Sequence, residues 1–242
     1  KRHTFRNHQC HRDNDPPSLD TIAQIISFSR MPSCTTSGSR ISVSTDYQLA
    51  KQCGVSVNSI LLIGGGGHCR SSIDVIEAEG KYIIAGIVCQ SKEDREPVLG
   101  YEVLGDDEDL PKLLKKYPNA LITVGQIKSV NVRVKLFQRV LRLGFELPTI
   151  ISPRAYVSKN ASLGIGTIVM HDALVNIGAK IGNNCILNTK SLVEHDAIVA
   201  DHCHISTSSV INGGAMIKEK TFIGSNTITK EYITVGKNSV IG

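Results

Sequence analysis

The sequence predicts a small α/β unit of Rossmann-like type followed by a parallel β-helix built from hexapeptide repeats. Two observations carry that expectation. Aliphatic residues recur every six positions through the last third of the chain. Upstream, short apolar strands alternate with helical segments around a run of four glycines.

Stepping by six from Val157 gives Leu163, Val169, Val175, Ile181, Leu187, Val193, Val199, Ile205, Ile211, Ile217, Ile223, Thr229, Val235 and Ile241, of which only Thr229 is not aliphatic. Self-similarity at a fixed period marks a repeat architecture. An α-helix has no period of six, and an ordinary strand alternates every two. Two positions before the aliphatic stands a small residue, as at Ala161, Ala179, Cys185, Ala197, Cys203 and Ala215, with Ile233 as the large exception. The position after the aliphatic is often Gly or Asn, as at Gly164, Asn176, Gly182, Asn188 and Asn212. These types tolerate positive φ and so suit a corner. Each hexapeptide is then a short strand plus a turn, and three of them form one triangular coil. Stacked coils align every third aliphatic, giving inward columns that start at Val157, Leu163 and Val169.

Residues 59–150 read as the α/β unit, residues 151–242 as the β-helix, and residues 1–58 as a poorly ordered segment rich in Ser, Thr, Arg, His and Asp. Strands are expected over Ile60–Ile63, Tyr82–Val88 and Ala120–Val124. Helices are expected over Cys69–Ala78, Asp106–Tyr117 and Lys128–Leu143. The second helix has an acidic start and a basic end, matching the macrodipole. The third places Val130, Val134, Phe137 and Leu141 on one face. Its cations Lys128, Arg133, Lys135, Arg139 and Arg142 read as a solvated face. Strand–helix alternation of this kind makes a parallel sheet, and Thr149–Ile151 leads into the repeat.

The turn Gly64-Gly65-Gly66-Gly67-His68 joins the first strand to the first helix. Bare backbone N–H groups at the positive end of a helix suit a phosphate, so a nucleotide-diphosphate ligand is expected there. As a dinucleotide fingerprint the turn fails, because Cys69 stands where the third glycine belongs. The second strand ends Val88-Cys89-Gln90, without the acid that would hold a ribose. A nicotinamide dehydrogenase is therefore disfavoured.

Composition narrows the field. The 242 residues are 41% hydrophobic and 20% charged, as in a globular protein, and the net charge is +5 (27 basic against 22 acidic). That balance is mild and argues only weakly for polyanionic ligands, and no nucleic-acid partner is expected. The stretch Leu49–Ser56 has the look of the first helix and turn of a helix-turn-helix, but the second helix would have to come from Leu61–Gly66, which reads as a strand entering the glycine turn. The longest aliphatic run, Ile60–Ile63, is far too short to span a bilayer. His8-Gln9-Cys10-His11 has metal-ligand types without a second pair, so no metal site is expected. Seven scattered cysteines argue against a disulfide framework and for a cytoplasmic protein. The chain starts at Lys1 without Met and stops at Gly242 on a repeat corner, so a C-terminally truncated chain is expected.

One stretch of the repeat departs from the bland outward face. Asn188 to Asp196 reads NTKSLVEHD, and Asp201-His202-Cys203-His204 follows. His195 lies two past an inward aliphatic and projects from the prism. One coil above it stand Gly213 and Gly214, which leave space over the imidazole. A histidine near neutral pKa can take a proton from an amine or hydroxyl attacking a thioester, and Asp196 or Glu194 can orient the ring.

These blocks, with Asn212-Gly213-Gly214 and Ile63-Gly64-Gly65-Gly66-Gly67-His68, resemble the NeuD/PglD-type group of sugar acetyltransferases over residues 59–242. The resemblance implies a left-handed β-helix, an exception to the right-handed crossover rule. It implies homotrimers with acetyl-CoA as co-substrate between neighbouring prisms. It makes His195 the catalytic base with Asp196 as its acidic neighbour, and places Asn188 and Glu194 in the active site. His204 and Gly213, with Gly214, correspond to acetyl-CoA contacts. The sugar substrate falls to Gly64, Gly65, Gly66, Gly67 and His68, and to Gly125-Gln126 after the third strand. The expected reaction is N-acetylation of a nucleotide-linked amino sugar in bacterial surface glycan synthesis. O-acetylation of a sialic-acid-type sugar and a non-catalytic trimeric scaffold or regulator are the alternatives.

Overall fold

The computed structural model describes residues 58–90, 96–127 and 129–242. The segment expected to be poorly ordered lies outside the described residues up to position 57. So do the His8–His11 stretch and the Leu49–Ser56 segment, and Lys128 as well.

The α/β unit is a four-stranded parallel sheet in which Val103–Gly105, Ile83–Val88, Ser59–Ile63 and Asn119–Ile122 lie side by side in that order. β1 (Ser59–Ile63) is central and buried at all five positions, which is why it is apolar on both faces. At its end Gly64 takes φ +115°, and a Cβ there would lie 2.5 Å from Val124 Cγ2, so this glycine is required by the fold. α1 (Gly67–Glu79) ends on Gly80 in the left-handed region. β2 (Ile83–Val88) follows. β3 (Val103–Gly105) was not anticipated, since three residues carry no period.

The expected Asp106–Tyr117 helix is two pieces. A 3-10 turn over Asp107–Asp109 is capped by the Asp106 side chain, and α2 (Leu110–Leu114) then restarts at Pro111. Proline lacks the N–H that a continuous helix needs and suits a first turn instead. β4 (Asn119–Ile122) pairs with β1.

α3 (Asn131–Leu143) corrects the sequence reading in two places. Its buried face is Arg133, Val134, Leu136, Phe137 and Val140, whereas Leu141 is 46% exposed. Arg133, read as one of the solvated cations, is fully buried. Val130, Val134 and Phe137 are buried as expected, and the stripe continues through Val140 rather than Leu141.

Beyond residue 150 the chain forms the left-handed parallel β-helix. Strands of two residues pair in parallel with strands 18 positions away, as Ile186-Leu187 does with Ile168-Val169 below and His204-Ile205 above. The three sheets follow the three expected columns. The beat begins one hexapeptide earlier than Val157, because Ile150–Ile151 pairs with Ile168-Val169. At Thr229 the strand is reduced to an isolated bridge between Val210 and Ile228. There the threonine hydroxyl accepts the Asn212 N–H at 2.9 Å, which an aliphatic side chain could not do.

Inside the prism Val169, Val175, Ile181, Leu187, Val193, Val199, Ile205, Ile211, Ile217 and Ile223 form one buried cluster with the small residues Ala173, Ala179, Cys185, Ala197, Cys203 and Ala215. Large aliphatics and small residues fill a triangular cross-section together. Leu187 is fully buried mid-column. Leu187→Ala is expected to cost about 2–5 kcal/mol through lost transfer energy and a cavity, read as a lowered midpoint in urea or thermal unfolding.

The corners differ from expectation. Positive φ falls three residues after the inward aliphatic, at Asp172, Asn184, Lys190, Asp196, His202, Ser208, Lys220, Asn226, Tyr232 and Asn238, and at Gly166, Gly178 and Gly214. The glycines directly after the aliphatic serve another purpose. A Cβ on Gly164 would sit 2.5 Å from the carbonyl carbon of Gly182, and one on Gly182 would collide with Asp201. Close approach of the next coil, rather than turn geometry, selects glycine there.

The two parts are joined by polar seams. His171 Nε2 donates to Asp74 of α1 at 2.7 Å, and its Nδ1 meets the Ser152 hydroxyl at 2.6 Å. On the other side Arg133 reaches the Asn184 carbonyl, and His204 reaches Gln126.

Candidate active site

His195 stands at the corner after Val193, and its ring is half-exposed. The left-handed conformation of Asp196 (φ 59°) turns the carboxylate back beside the preceding ring. Asp196 Oδ2 accepts from His195 Nδ1 at 3.0 Å. That bond fixes the tautomer: Nδ1 carries the proton, and Nε2 keeps a lone pair. The hydrogen bond and charge of Asp196 raise the histidine's pKa above its usual 6.5, with Glu194 adding to the effect.

Nε2 faces Gly213. A Cβ on that residue would be 2.7 Å from Nε2 and 2.9 Å from Cε1, so only glycine leaves the imidazole face open. Gly214 takes φ +64° and is covered by the ring of Tyr232. It turns the corner rather than opening the site. Glu194 is held in place: its Oε2 accepts from Asn176 Nδ2 at 2.8 Å and from the His195 backbone N–H at 3.1 Å. Asn176 was missed from the sequence, although it stands 18 positions before Glu194 and coil stacking puts the two side by side.

A second group of predicted residues gathers on the seam between the sheet and the prism. His204 is buried, and its Nδ1 donates to the Gln126 carbonyl at 2.6 Å. Burial pushes its pKa down to about 4, so the ring is neutral with a lone pair on Nε2. Asn188 Nδ2 approaches that nitrogen at 3.4 Å, which places Asn188 with His204 rather than with His195. Phe222 packs edge-on against the same ring at 5.1 Å. Its Gln126 partner is 2% exposed, and Gln126 Oε1 is buried without a hydrogen-bond partner.

The glycine turn lies beside this seam. Gly66 and Gly67 have open space where a Cβ would stand, at the N-terminus of the 13-residue α1. Their backbone can therefore approach a ligand closely. Gly65 makes ordinary contact with Cys89. His68 at the turn's exit has a buried Nε2 with no partner. Burial, with help from Arg133 and His204, holds its pKa at about 3. A Cβ added at Gly125 would stand 3.5 Å from the His68 Cβ. Among the described residues there is no cluster of His, Cys, Asp and Glu suited to a metal ion, and no helix is long and apolar enough to cross a membrane.

Residues 59–140 match the PglD N-terminal domain. Curated protein sequences give no match. Among solved structures, the chain is similar to the acetyltransferase domain of PglB from Neisseria gonorrhoeae in complex with acetyl coenzyme A, at 29% identity and TM-score 0.70, covering 76% of this chain and 88% of that one. It is similar to a His-to-Asn mutant of perosamine N-acetyltransferase from Caulobacter crescentus in complex with CoA and GDP-perosamine, at 28% identity and TM-score 0.57, covering 77% and 92%. WeeI from Acinetobacter baumannii, at 16% identity and TM-score 0.62, covers 75% of this chain and 87% of its own and shares the fold.

Proposed function

We propose that this chain, a member of the NeuD/PglD-type family of sugar acetyltransferases, moves the acetyl group of acetyl-CoA onto the amine of a nucleotide-linked amino sugar. The observation that carries this reading is His195, locked by Asp196 through Nδ1 and open at Nε2 under Gly213. The acceptor nitrogen attacks the thioester carbonyl carbon, forming the C–N bond. His195 Nε2 takes the proton that the nitrogen loses, and passes it to the CoA thiolate when the C–S bond breaks. Asp196 stabilises the imidazolium in between. Backbone N–H groups of a neighbouring coil meet the tetrahedral oxyanion.

Gly66 and Gly67, His68 and the Gly125-Gln126 turn hold the nucleotide sugar. The two solved relatives with acetyl-CoA or CoA, one of them also with GDP-perosamine, support both ligand classes. Asn188, His204 and Gly213 line the acetyl-CoA side, between prisms of a homotrimer. The four described cysteines are unpaired, in keeping with a reaction in the cytoplasm. The setting we propose is bacterial surface glycan synthesis; the similar solved structures come from bacteria.

The test is direct. Purified protein with acetyl-CoA is offered a nucleotide-linked amino sugar and, separately, a sialic-acid-type sugar, and thiol release and acetylated product are followed. Product on the amine of the nucleotide sugar is expected. Product only on a hydroxyl of the acid sugar would replace this reading with O-acetylation, and no thiol release with either would leave a non-catalytic protein.

The pH profile adds a second check. His195 works deprotonated, so kcat/KM rises with pH through its pKa, which Asp196 holds above 6.5. Asp196→Asn removes the charge, so the ascending limb is expected to move to lower pH. The plateau is expected to fall about 10–100-fold because the ring loses its anchor. An unmoved limb would separate Asp196 from the base.

A further inference from the structure

Arg133 is the largest fully buried side chain of the described residues, yet it forms no ion pair among them. A buried cation without a carboxylate is costly unless its N–H groups are used. Here two of the three nitrogens are spent on three carbonyls. Nη1 donates to Ile122 O at 2.6 Å and to Val124 O at 2.9 Å, while Nε donates to Asn184 O at 3.3 Å.

The first two carbonyls belong to the end of β4 and the segment running into Gly125-Gln126. The third belongs to a corner of the β-helix, where Asn184 takes φ 53°. The planar guanidinium thus ties the acceptor-side turn to the prism across the seam between the two parts. Lysine could not span three such points from a single nitrogen.

What the tie holds in place is informative. The Gln126 carbonyl receives the 2.6 Å hydrogen bond from His204. The Gln126 Oε1 and His68 Nε2 are buried without partners, and Arg133 is close enough to His68 to depress its protonation. The remaining Nη2 of Arg133 is also buried without a partner. Three unpartnered polar atoms around one turn are the mark of a site kept ready for polar ligand groups.

We propose that Arg133 is a positioning residue for acetyl transfer, setting the Gly125-Gln126 turn on the Asn184 corner so that the acceptor sugar is placed against the donor side. This rests on the acetyltransferase reading above. The arginine touches neither acetyl-CoA nor the reacting atoms. It acts through the turn, so its loss is expected to be felt at the acceptor.

The experiment compares wild type, Arg133→Met and Arg133→Lys in steady-state acetyl transfer to a nucleotide-linked amino sugar, varying acceptor and acetyl-CoA separately. Arg133→Met is expected to raise the acceptor KM at least tenfold and to lower kcat/KM for the acceptor about 100-fold, the scale of a misplaced reactant. The acetyl-CoA KM is expected to rise clearly less than the acceptor KM, because the turn reaches that side only through the His204 hydrogen bond. Guanidinium at millimolar concentration is expected to restore part of the rate to a smaller variant, Arg133→Ala, and none to wild type. Arg133→Lys, which keeps charge and bulk, is expected to be intermediate, and it decides the matter where the other variants fail to fold.

Equal loss at both substrates without guanidinium rescue would make Arg133 a merely structural residue and overturn the proposal. So would Arg133→Met or Arg133→Lys kinetics within twofold of wild type. Wild-type protein with no transfer to any acceptor would overturn the acetyltransferase reading itself, a result that an active wild type with unchanged variants does not give.

Discussion

His195→Ala is expected to lower kcat for acetyl transfer about 10²–10⁴-fold, the range a positioned general base supplies. The expectation follows from what the ring does in the site. Its Nδ1 is committed to Asp196 at 3.0 Å, so Nε2 is the nitrogen left to accept a proton. A neutral amine must lose that proton as it attacks, and bulk water is a poor substitute at neutral pH. Substrate binding is expected to change little, because the ring is half-exposed and holds no other element in place. The fold is expected to survive for the same reason, with an unfolding midpoint close to that of wild type. The His195 backbone keeps its two roles, the carbonyl accepting from Gly214 N at 3.0 Å and the N–H donating to Glu194. Rapid-quench or steady-state kinetics with saturating acetyl-CoA, alongside circular dichroism, would measure both parts. A rate within tenfold of wild type would remove His195 from the mechanism.

How far this site was legible in the sequence depends on the kind of order involved. The β-helix was readable because its period is strict: each aliphatic occupies a column of identical neighbours, and burial acts on every repeat alike. That same regularity puts Gly213 over His195 from the sequence alone, since residues 18 apart stack. It would also have found Asn176 under Glu194. The corner was misassigned because glycine was read through φ alone. At Gly164 and Gly182 the constraint is the backbone of the next coil, which sequence does not display. Arg133 was misread for a related reason. Charge suggests solvent, and only the three-dimensional course of β4 and the Asn184 corner shows three carbonyls converging on one guanidinium. The seam between sheet and prism joins residues far apart in the chain, such as His204 and Gln126, and no local pattern encodes such a pairing. β3 was missed because three residues are too few to show a period.

Gly213→Ala is expected to cost about 100-fold in acetyl transfer while leaving the fold intact, a large loss for one methyl group. Its φ lies outside the left-handed region, so alanine is compatible with the backbone there. The Gly213 carbonyl would still accept from Tyr232 N at 3.0 Å. The obstruction is the imidazole: the new Cβ would lie 2.7 Å from Nε2, 2.9 Å from Cε1 and 3.3 Å from Cδ2. The ring is the mobile end of a half-exposed side chain, so it would swing away at small cost to stability. Swinging moves Nε2 from the acceptor and loosens the bond to Asp196, and a displacement near 1 Å is enough for a loss of this size. The proposed function also puts Gly213 on the acetyl-CoA side, so a rate loss alone would not say which role the glycine plays. The double variant separates the two. If Gly213 acts by leaving room for His195, its effect disappears in a His195→Ala background, because residues acting as one unit are not additive. If it acts only by admitting acetyl-CoA, the same 100-fold loss appears in both backgrounds, together with weaker acetyl-CoA binding by calorimetry. We expect the first result: most of the Gly213→Ala loss should vanish once the imidazole is gone.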